Sequence, residues 1–250
     1  MILKILCGVA FLCYLSVAVL ASLPRGEKRA GLVTSLEVLG AACSASAVLV
    51  NFIANGYVPF VSMYQVLIFL TFSFTLIHLL LRFVYRRDLT PFVYGMAAVT
   101  AFGCVVMDGA SVWHFAPALR SPFFVPHVFC YMLAYTLAAV AAAVCVRDML
   151  QKKDPDDSVA CVRVLYPFMT AGLFLGCLWA NEVWGAFWSW DVKENWSLFT
   201  WLCFTTVLHL RGSRKEKGAA RLLILAGFLG VIVTFLFVNF MNASSLHTYS

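Results

Sequence analysis

The chain concentrates tryptophan in one short stretch that also carries charged residues. Five of its seven tryptophans lie within residues 184–201, in the run W-G-A-F-W-S-W-D-V-K-E-N-W-S-L-F-T-W. Indole rings offer a flat, rigid, apolar surface, and Asp191, Lys193 and Glu194 place charges in the middle of it. A mostly apolar lining with a few placed polar groups is typical of a pocket for an organic ligand. The pattern therefore predicts a platform for a flat, apolar molecule with a charged edge.

Two histidines could bind a metal beside this platform. His127 follows Pro126, a residue favoured at the start of a helix, and His247 lies near the C-terminus. Neutral imidazole is a common metal ligand, and two facing imidazoles against an apolar wall make a haem-type site. His114 competes for the same role. The plain alternative for each histidine is a hydrogen-bonded surface residue.

The tryptophans have an alternative interpretation of their own. Trp collects at both membrane interfaces as an aromatic belt, and a belt would account for two or three of the rings. It does not account for five rings on one link with two acids between them. We therefore expect the cluster to pack against a porphyrin, with the charged residues near the ring edge or its propionates.

The surrounding elements must cross a lipid bilayer. Sixty-two per cent of the 250 residues are hydrophobic and 12% are charged, whereas a soluble domain carries about a quarter charged residues. A spanning helix needs about 20 residues, and backbone groups in lipid must be paired internally. We expect an all-α integral membrane protein, with residues 1–250 forming a single transmembrane domain, a polytopic bundle of about eight helices. The predicted spans are 2–23, 32–54, 62–84, 91–107, 126–147, 164–181, 195–211 and 221–241.

The charges predict the orientation of these spans. Most of the 18 basic residues follow the first, third, fifth and seventh spans, and the other links hold only Lys4, Arg120 and Lys193. Because cytoplasmic links carry the excess of Lys and Arg, both termini and the tryptophan link (residues 182–194) are expected to be extracytoplasmic. The first span is expected to be retained. Its basic cluster follows the apolar run, whereas a signal peptide carries its positive charges before that run. The net charge of +6 reflects this topology and requires no nucleic acid.

The nine cysteines do not indicate a redox or zinc site. No C-x-x-C occurs in the chain, so neither a thioredoxin-like pair nor a zinc motif is present. No C-x-x-C-H occurs either, so the chain is not itself a c-type cytochrome. The cysteines are better interpreted as small, buried, apolar residues.

The tryptophan run resembles a known family. Residues 184–196, with W-D-x-K-E-x-W, are similar to the "WWD" signature of haem-handling proteins, in the form of the CcsA (ResC) branch of cytochrome c biogenesis. Three further segments agree with that branch: P-A-L-x-S…H-V at 117–128, L-H-x-R at 208–211 and V-N-F…L-H-x-Y at 238–249. A weaker echo covers 59–69, where Tyr-Gln replaces the family's tyrosine-glutamate.

The resemblance implies a function. Such a protein brings haem b (iron protoporphyrin IX) to the outer face of the cell (inner or plasma) membrane and presents it for covalent attachment to apocytochrome c at C-x-x-C-H. It acts with a CcsB/ResB-type membrane subunit, as part of a cytochrome c synthase or haem lyase. His127 and His247 would be the outer axial ligands of the haem iron, and His209 an intramembrane histidine on the haem path. No nucleophile or general base is evident, so no residue is assigned a catalytic role.

By the same resemblance the platform covers about residues 179–201 on the outer face. Its predicted members are the aromatic, glycine and charged residues of that segment: Trp179, Trp184, Gly185, Trp188, Trp190, Asp191, Lys193, Glu194, Trp196 and Trp201.

Three ionisable residues fall in the inner half of the predicted spans. Glu37, His78 and His209 lie within apolar runs, where ionisable groups usually face the bundle interior. We expect Glu37 to hydrogen-bond His209 or His78 as a supporting residue, which would fix the imidazole tautomer. His114 is a further candidate for such support. The alternative for His78 is a polar residue satisfied by a neighbouring helix.

Three other functions compete with this one. A b-type membrane electron carrier would also use paired histidines, but gives the tryptophan link no purpose. A proton-coupled transporter would use Glu37, His78 and His209 and would contain no haem. A haem chaperone of the CcmC type would pass haem to a separate carrier, and Lys193 with Glu194 after Trp190-Asp191 argues against it.

Overall fold

The fold is described from a computed structural model. The described residues are 2–24, 26–107, 117–210 and 213–237, with Arg214 and Phe237 described by their backbone alone.

Every regular element in the described part of the chain is helical, which confirms the all-α prediction. Each predicted apolar stretch coincides over most of its described residues with one α-helix. The helices are α1 Ile2–Ala21, α2 Glu27–Asn55, α3 Met63–Leu79, α4 Thr90–Val106, α5 Phe124–Leu150, α6 Asp156–Trp184, α7 Val192–His209 and α8 Arg214–Ile232. Single π-helical turns, Leu80–Val84 and Val233–Phe237, continue α3 and α8, and a short 3₁₀ turn, Pro117–Arg120, precedes α5.

Six of these helices are long and apolar enough to cross a membrane. They are α1, α2, α5 and α6, together with α3 and α8 counted with their π-helical turns. The multi-pass prediction is thereby confirmed. The apolar α4 is shorter, at 17 residues, and α7 opens with charged residues. A total of eight spans and the orientation of the termini stay predictions.

The helix ends are encoded locally. Ser62, Asp191 and Ser213 each accept a hydrogen bond from the backbone N–H three residues later, and the residue there bonds back to the cap. These capping boxes satisfy N–H groups that have no partner within the helix. Helices α2 and α6 stop at Gly56 and Gly185, which adopt the left-handed conformation that glycine tolerates best. The tryptophan link thus lies between a glycine stop and an aspartate cap.

The chain divides into two compact units. Unit 1, Met1–Phe115, contains α1–α4, with α1 packed on α2 and α4, and α3 packed on α4. One core cluster there joins four helices through buried residues: Leu3, Cys7, Ala47, Tyr64, Ile68 and Cys104. All nine cysteines of the chain are free thiols and lie buried or half-buried, as expected of small apolar residues. That residues 1–250 form a single domain stays a prediction.

Unit 2, Ala116–Ser250, contains α5–α8 and carries the tryptophan link. Helix α5 packs along α6, α7 packs along α8, and α8 also touches α5. Glycines permit these close approaches: a Cβ at Gly227 would lie 2.8 Å from the ring of Phe204, and one at Gly172 would lie 2.9 Å from the ring of Tyr131. Small residues at such contacts are how helices pack in lipid, where burial of apolar surface gives little driving force.

Candidate functional site

His127 lies in the first turn of α5, as predicted from Pro126. Its backbone N–H donates to Phe123 at 3.0 Å, and its side chain is half-buried. A side chain in the first turn stands at the end of the helix instead of within its apolar length. His127 packs against the C-terminal half of α6, at Gly172, Gly176 and Trp179.

A backbone carbonyl fixes the protonation of this imidazole. Nδ1 of His127 is 2.8 Å from the carbonyl oxygen of Gly172. Because a carbonyl can only accept, Nδ1 carries the proton and the lone pair of the neutral ring is on Nε2. This is the tautomer that binds a metal through Nε2, with the Nδ1–H hydrogen bond orienting the ring.

An aromatic wall surrounds the imidazole. The ring of Trp179 lies 5.7 Å from that of His127, centroid to centroid, at an interplanar angle of 33°. Tyr131 meets the imidazole edge-on at 5.0 Å. Trp184 packs edge-on against Trp179 at 5.0 Å, and Phe124 lies 5.2 Å from Trp179. Two tryptophans of the predicted platform are thus continuous with the histidine predicted to bind iron.

One face of α6 accommodates this histidine. Gly172, Gly176 and Trp179 are four and three residues apart, so they share a face of the helix. A Cβ on Gly176 would lie 2.6 Å from Cε1 and 2.7 Å from Nδ1 of His127. Only a residue without a side chain leaves room for the ring there. Sequence reasoning missed both glycines, although G-x-x-x-G in an apolar helix is a packing signal.

The segment Pro117–Arg120 is fastened to the end of α6. The indole N–H of Trp179 donates to the carbonyl of Ala118 at 2.8 Å. The hydroxyl of Ser121 donates to the carboxylate of Glu182 and accepts from the backbone N–H of Phe123 at 3.2 Å. These bonds hold the start of α5 against α6. The resemblance identifies the P-A-L-x-S segment, but the sequence does not predict the hydrogen bond between its Ser121 and Glu182.

The acids of the tryptophan link bind backbone. Asp191 accepts from the N–H of Glu194 at 3.0 Å, and Glu194 accepts from the N–H of Ser189 at 2.8 Å and of Asp191 at 3.2 Å. Asn195 donates to the carbonyl of Trp190 at 2.8 Å. The spacing W-D-x-x-E-N is therefore that of a capping box, with one further hydrogen bond from Asn195 to Trp190, the residue before the cap.

Trp190 has an unusual backbone conformation. Its φ is +61°, in the left-handed region that side chains with a Cβ adopt rarely and at a cost. Its side chain is 68% exposed and meets Trp188 edge-on at 5.9 Å. The indole nitrogen of Trp188 is buried and has no hydrogen-bond partner within the described residues. The capping box and the hydrogen bond from Asn195 thus hold the indole of Trp190 in an exposed position, at the cost of local backbone strain.

Lys193 is the remaining charged residue of the link. It is half-buried, and burial lowers the pKa of its ammonium to about 8, although nearby Asp191 acts in the opposite direction. Burial disfavours the charged form of an amine, and a nearby carboxylate favours it. Asp191 therefore already favours the charged form of Lys193, and a carboxylate on a ligand would favour it further.

The last two tryptophans of the platform lie on α7. Trp201 stacks on Tyr166 of α6 at 5.8 Å, and its indole N–H donates to Thr170 at 3.0 Å. Trp196 meets Phe199 edge-on at 5.5 Å. Trp201 thus attaches α7 to α6, more than two turns beyond the link that carries Trp188 and Trp190.

His209 is the last residue of α7. It is exposed, and its Nδ1 donates to the carbonyl of Thr205 at 2.8 Å, which again puts the lone pair of the neutral ring on Nε2. It belongs to unit 2, whereas Glu37 and His78 belong to unit 1.

Glu37 and His78 come together inside unit 1. Oε1 of Glu37 is 3.6 Å from Nε2 of His78, and Arg82 approaches the other carboxylate oxygen at 3.8 Å. Both partners of the first pair are buried, and the imidazole lies 4.9 Å from the ring of Tyr94. Oε1 of Glu37 has no hydrogen-bond partner among the residues described. Of the two predicted pairings of Glu37, the structure brings the one with His78 close, at a distance longer than a hydrogen bond.

The departure from the family pattern at residue 65 has a structural explanation. The side-chain oxygen of Gln65 accepts from the N–H groups of Val61 at 3.0 Å and Ser62 at 3.3 Å. This is the third-residue role in the capping box of α3, which glutamine and glutamate both perform. The replacement of the acid therefore leaves the helix start intact.

Two predicted site residues, His114 and His247, lie outside the described residues. Within the ranges described, no group of three or more His, Cys, Asp or Glu side chains could hold a metal ion by itself. Iron already held by a porphyrin needs only axial ligands from the protein, and the role of His127 as one of them stays a prediction.

Most of the chain, including the segments described above, is similar to known proteins. The sequence pattern of a family described as cytochrome C assembly protein matches residues 60–246. The cytochrome c biogenesis protein CcsA of Porphyra purpurea is 26% identical, over 96% of this chain and 92% of that protein. CcsA of Prochlorococcus marinus (strain MIT 9301) is 30% identical, over 78% and 77%. CcsA of Synechococcus sp. (strain CC9605) is 28% identical, over 89% and 88%. The family match includes the start of α5 and the whole tryptophan link.

Proposed function

The chain belongs to the cytochrome c assembly protein family, and from that membership we propose that it binds haem at the outer face of the membrane and presents it for attachment to apocytochrome c. As a multi-pass relative of CcsA proteins, it serves cytochrome c biogenesis. Haem b is, in this proposal, the cargo of the protein.

The observation that carries the proposal is the state of His127. The Nδ1–H of His127 donates a hydrogen bond to the Gly172 carbonyl, so Nε2 carries the lone pair that an iron ligand needs. The same imidazole adjoins Trp179, and Trp184 follows Trp179 in the aromatic wall. An imidazole ligand beside a broad apolar indole surface suits a porphyrin with its iron.

The charged residues of the link take separate roles. Asp191 and Glu194 stabilise the start of α7, so their contribution to haem binding is to hold Trp188 and Trp190 in place. Lys193 would pair with a haem propionate, because a carboxylate beside it would stabilise its half-buried ammonium. The remaining platform residues, Gly185, Trp196 and Trp201, shape and fasten the link.

The rest of the proposal follows the family resemblance. His247 would be the second axial ligand and His209 a histidine on the path of haem from the cytoplasmic side. A CcsB/ResB-type subunit would be the partner in the cell (inner or plasma) membrane, and the platform would face outward. Haem supplies two vinyl groups, to which the two thiols of a C-x-x-C-H apoprotein add as thioethers. The protein contributes by positioning, and its imidazole ligands influence the reduction potential of the iron.

Purification of the protein with haem tests this function. We expect wild-type protein to show the absorption spectrum of six-coordinate, low-spin haem with nitrogen ligands. His127→Ala should lose that spectrum, and added imidazole should restore it in part. Cys130→Ala, on the next turn of α5, is the matched control and should be unaffected. Unaltered haem content and spectrum in His127→Ala would refute the assignment.

A further inference from the structure

We propose that Gly172 and Gly176 of α6 are positioning residues for the haem ligand His127, and that they set both the direction and the donor strength of its imidazole. This inference rests on the proposed function, because it assumes that His127 binds iron. It adds to that function a part of α6 that lies outside the tryptophan signature.

The first observation is steric. The imidazole of His127 occupies the space where a side chain at Gly176 would be, with ring atoms 2.6 and 2.7 Å from an ideal Cβ. Real Cβ atoms essentially never approach so closely. The side chain of His127 has only two rotatable bonds, so its ring has few ways to move aside. The ring is therefore confined between α6 and Tyr131, whose ring centroid lies 5.0 Å from that of the imidazole at an interplanar angle of 73°.

The second observation is chemical. The carbonyl of Gly172 lies inside α6, so one of its lone pairs serves the helix and the other accepts Nδ1–H of His127 at 2.8 Å. Donation of this proton towards an acceptor increases the basicity of Nε2 as a ligand. A stronger donor stabilises ferric over ferrous iron, so the hydrogen bond lowers the reduction potential of a bound haem.

The two glycines act on successive turns of α5. A Cβ at Gly172 would meet the ring of Tyr131, four residues after His127. Tyr131 in turn lies beside Ser197 of α7. The glycine face thus holds the histidine ring against α6 and, through Tyr131, relates it to the helix that follows the tryptophan link. Helix packing alone would explain the glycines but not the bond to Nδ1.

The main test is Gly176→Ala, because the new methyl group must displace the imidazole. We expect loss of the low-spin spectrum, haem retention weakened by about 10- to 100-fold as for other outer-shell changes, and a midpoint potential shifted to more positive values in the haem that remains. Gly227→Ala is the matched control: its Cβ would meet Phe204 at 2.8 Å, a comparable clash away from His127. It should keep the wild-type spectrum and potential.

A second comparison remains informative if Gly176→Ala does not fold. His127→Gly removes the imidazole, and the free space should accept added imidazole as a haem ligand. The double variant with Gly176→Ala has no imidazole for the new methyl group to displace, so it should fold as well as His127→Gly. The methyl group should nevertheless occupy part of the free space, so the double variant should bind added imidazole at least tenfold more weakly. Equal imidazole affinity in the single and double variants would overturn the inference, as would a wild-type spectrum and potential in Gly176→Ala. If His127→Ala also kept the wild-type spectrum, the proposed function would fail with it.

Discussion

At the scale of single residues, His127 illustrates what a sequence can and cannot specify. Pro126 correctly predicted that the histidine lies in the first turn of a helix. The direction of its ring depends on a carbonyl 45 residues further along the chain. No local pattern identifies that partner, because it results from the packing of α5 on α6. The G-x-x-x-G spacing was visible, but it indicates close packing without indicating what packs.

Lys193 gives a prediction about pH. Since burial lowers its pKa to about 8, its ammonium loses the proton as pH rises through about 8, more than two units earlier than an ordinary lysine. Amine acylation requires the neutral form. We expect the acylation rate of Lys193, followed by peptide mass spectrometry from pH 6 to 11, to rise with a midpoint near 8 in the haem-free protein.

Bound haem should reverse this shift. A propionate beside Lys193 stabilises the charged form, so the midpoint should move to higher pH and the rate at pH 8 should fall. Asp191→Asn keeps the capping oxygen and removes the opposing charge, so it should move the midpoint slightly lower. A midpoint near 10 in haem-free wild type would contradict the burial of Lys193.

At the scale of elements, the helices were predicted more reliably than their ends. Helix α7 was expected from residue 195 and begins at Val192, because the capping box of Asp191 and Glu194 starts it before the apolar run. Helix α6 was expected from 164 and begins at Asp156, because its first two turns are polar enough to fall outside an apolar window. Hydropathy finds the part of a helix that lies in lipid, whereas capping residues determine where the helix begins.

The capping role of Glu194 separates structure from charge. Glutamine supplies the same accepting oxygen and alanine supplies none. We expect Glu194→Gln to retain haem, and Glu194→Ala to lose about 1 kcal/mol of stability and most of its haem through a displaced Trp190. Thermal unfolding in detergent and the haem-to-protein ratio measure the two effects. Loss of haem in Glu194→Gln at unchanged thermal stability would mean that the charge itself contacts the ligand.

At the scale of the whole molecule, composition and charge carried most of the information. Hydrophobic residues make up 62% of the chain, which indicates a helical membrane protein, and the basic residues on alternate links predict its orientation. The eight apolar stretches each became a helix. The division into two compact units was not visible, since the apolar pattern marks helices but does not specify which of them pack together.

Cysteine labelling tests the predicted orientation. Ser189 is exposed in the tryptophan link, and Asp154 is exposed in the basic link between α5 and α6. We expect a membrane-impermeant maleimide added to intact cells to label Ser189→Cys, and to label Asp154→Cys only after the cells are opened. Wild-type protein controls for the nine native thiols, which are buried or half-buried. Labelling in the opposite order would place the platform on the cytoplasmic side.

The most direct test of the whole account is to count the histidine nitrogens bound to the iron. Pulsed electron paramagnetic resonance on the ferric protein, grown with ¹⁵N-labelled histidine, detects each axial imidazole by its coupling to the metal. The account predicts two such nitrogens in wild-type protein and one in His127→Ala. Two in both, or none in wild type, would contradict it.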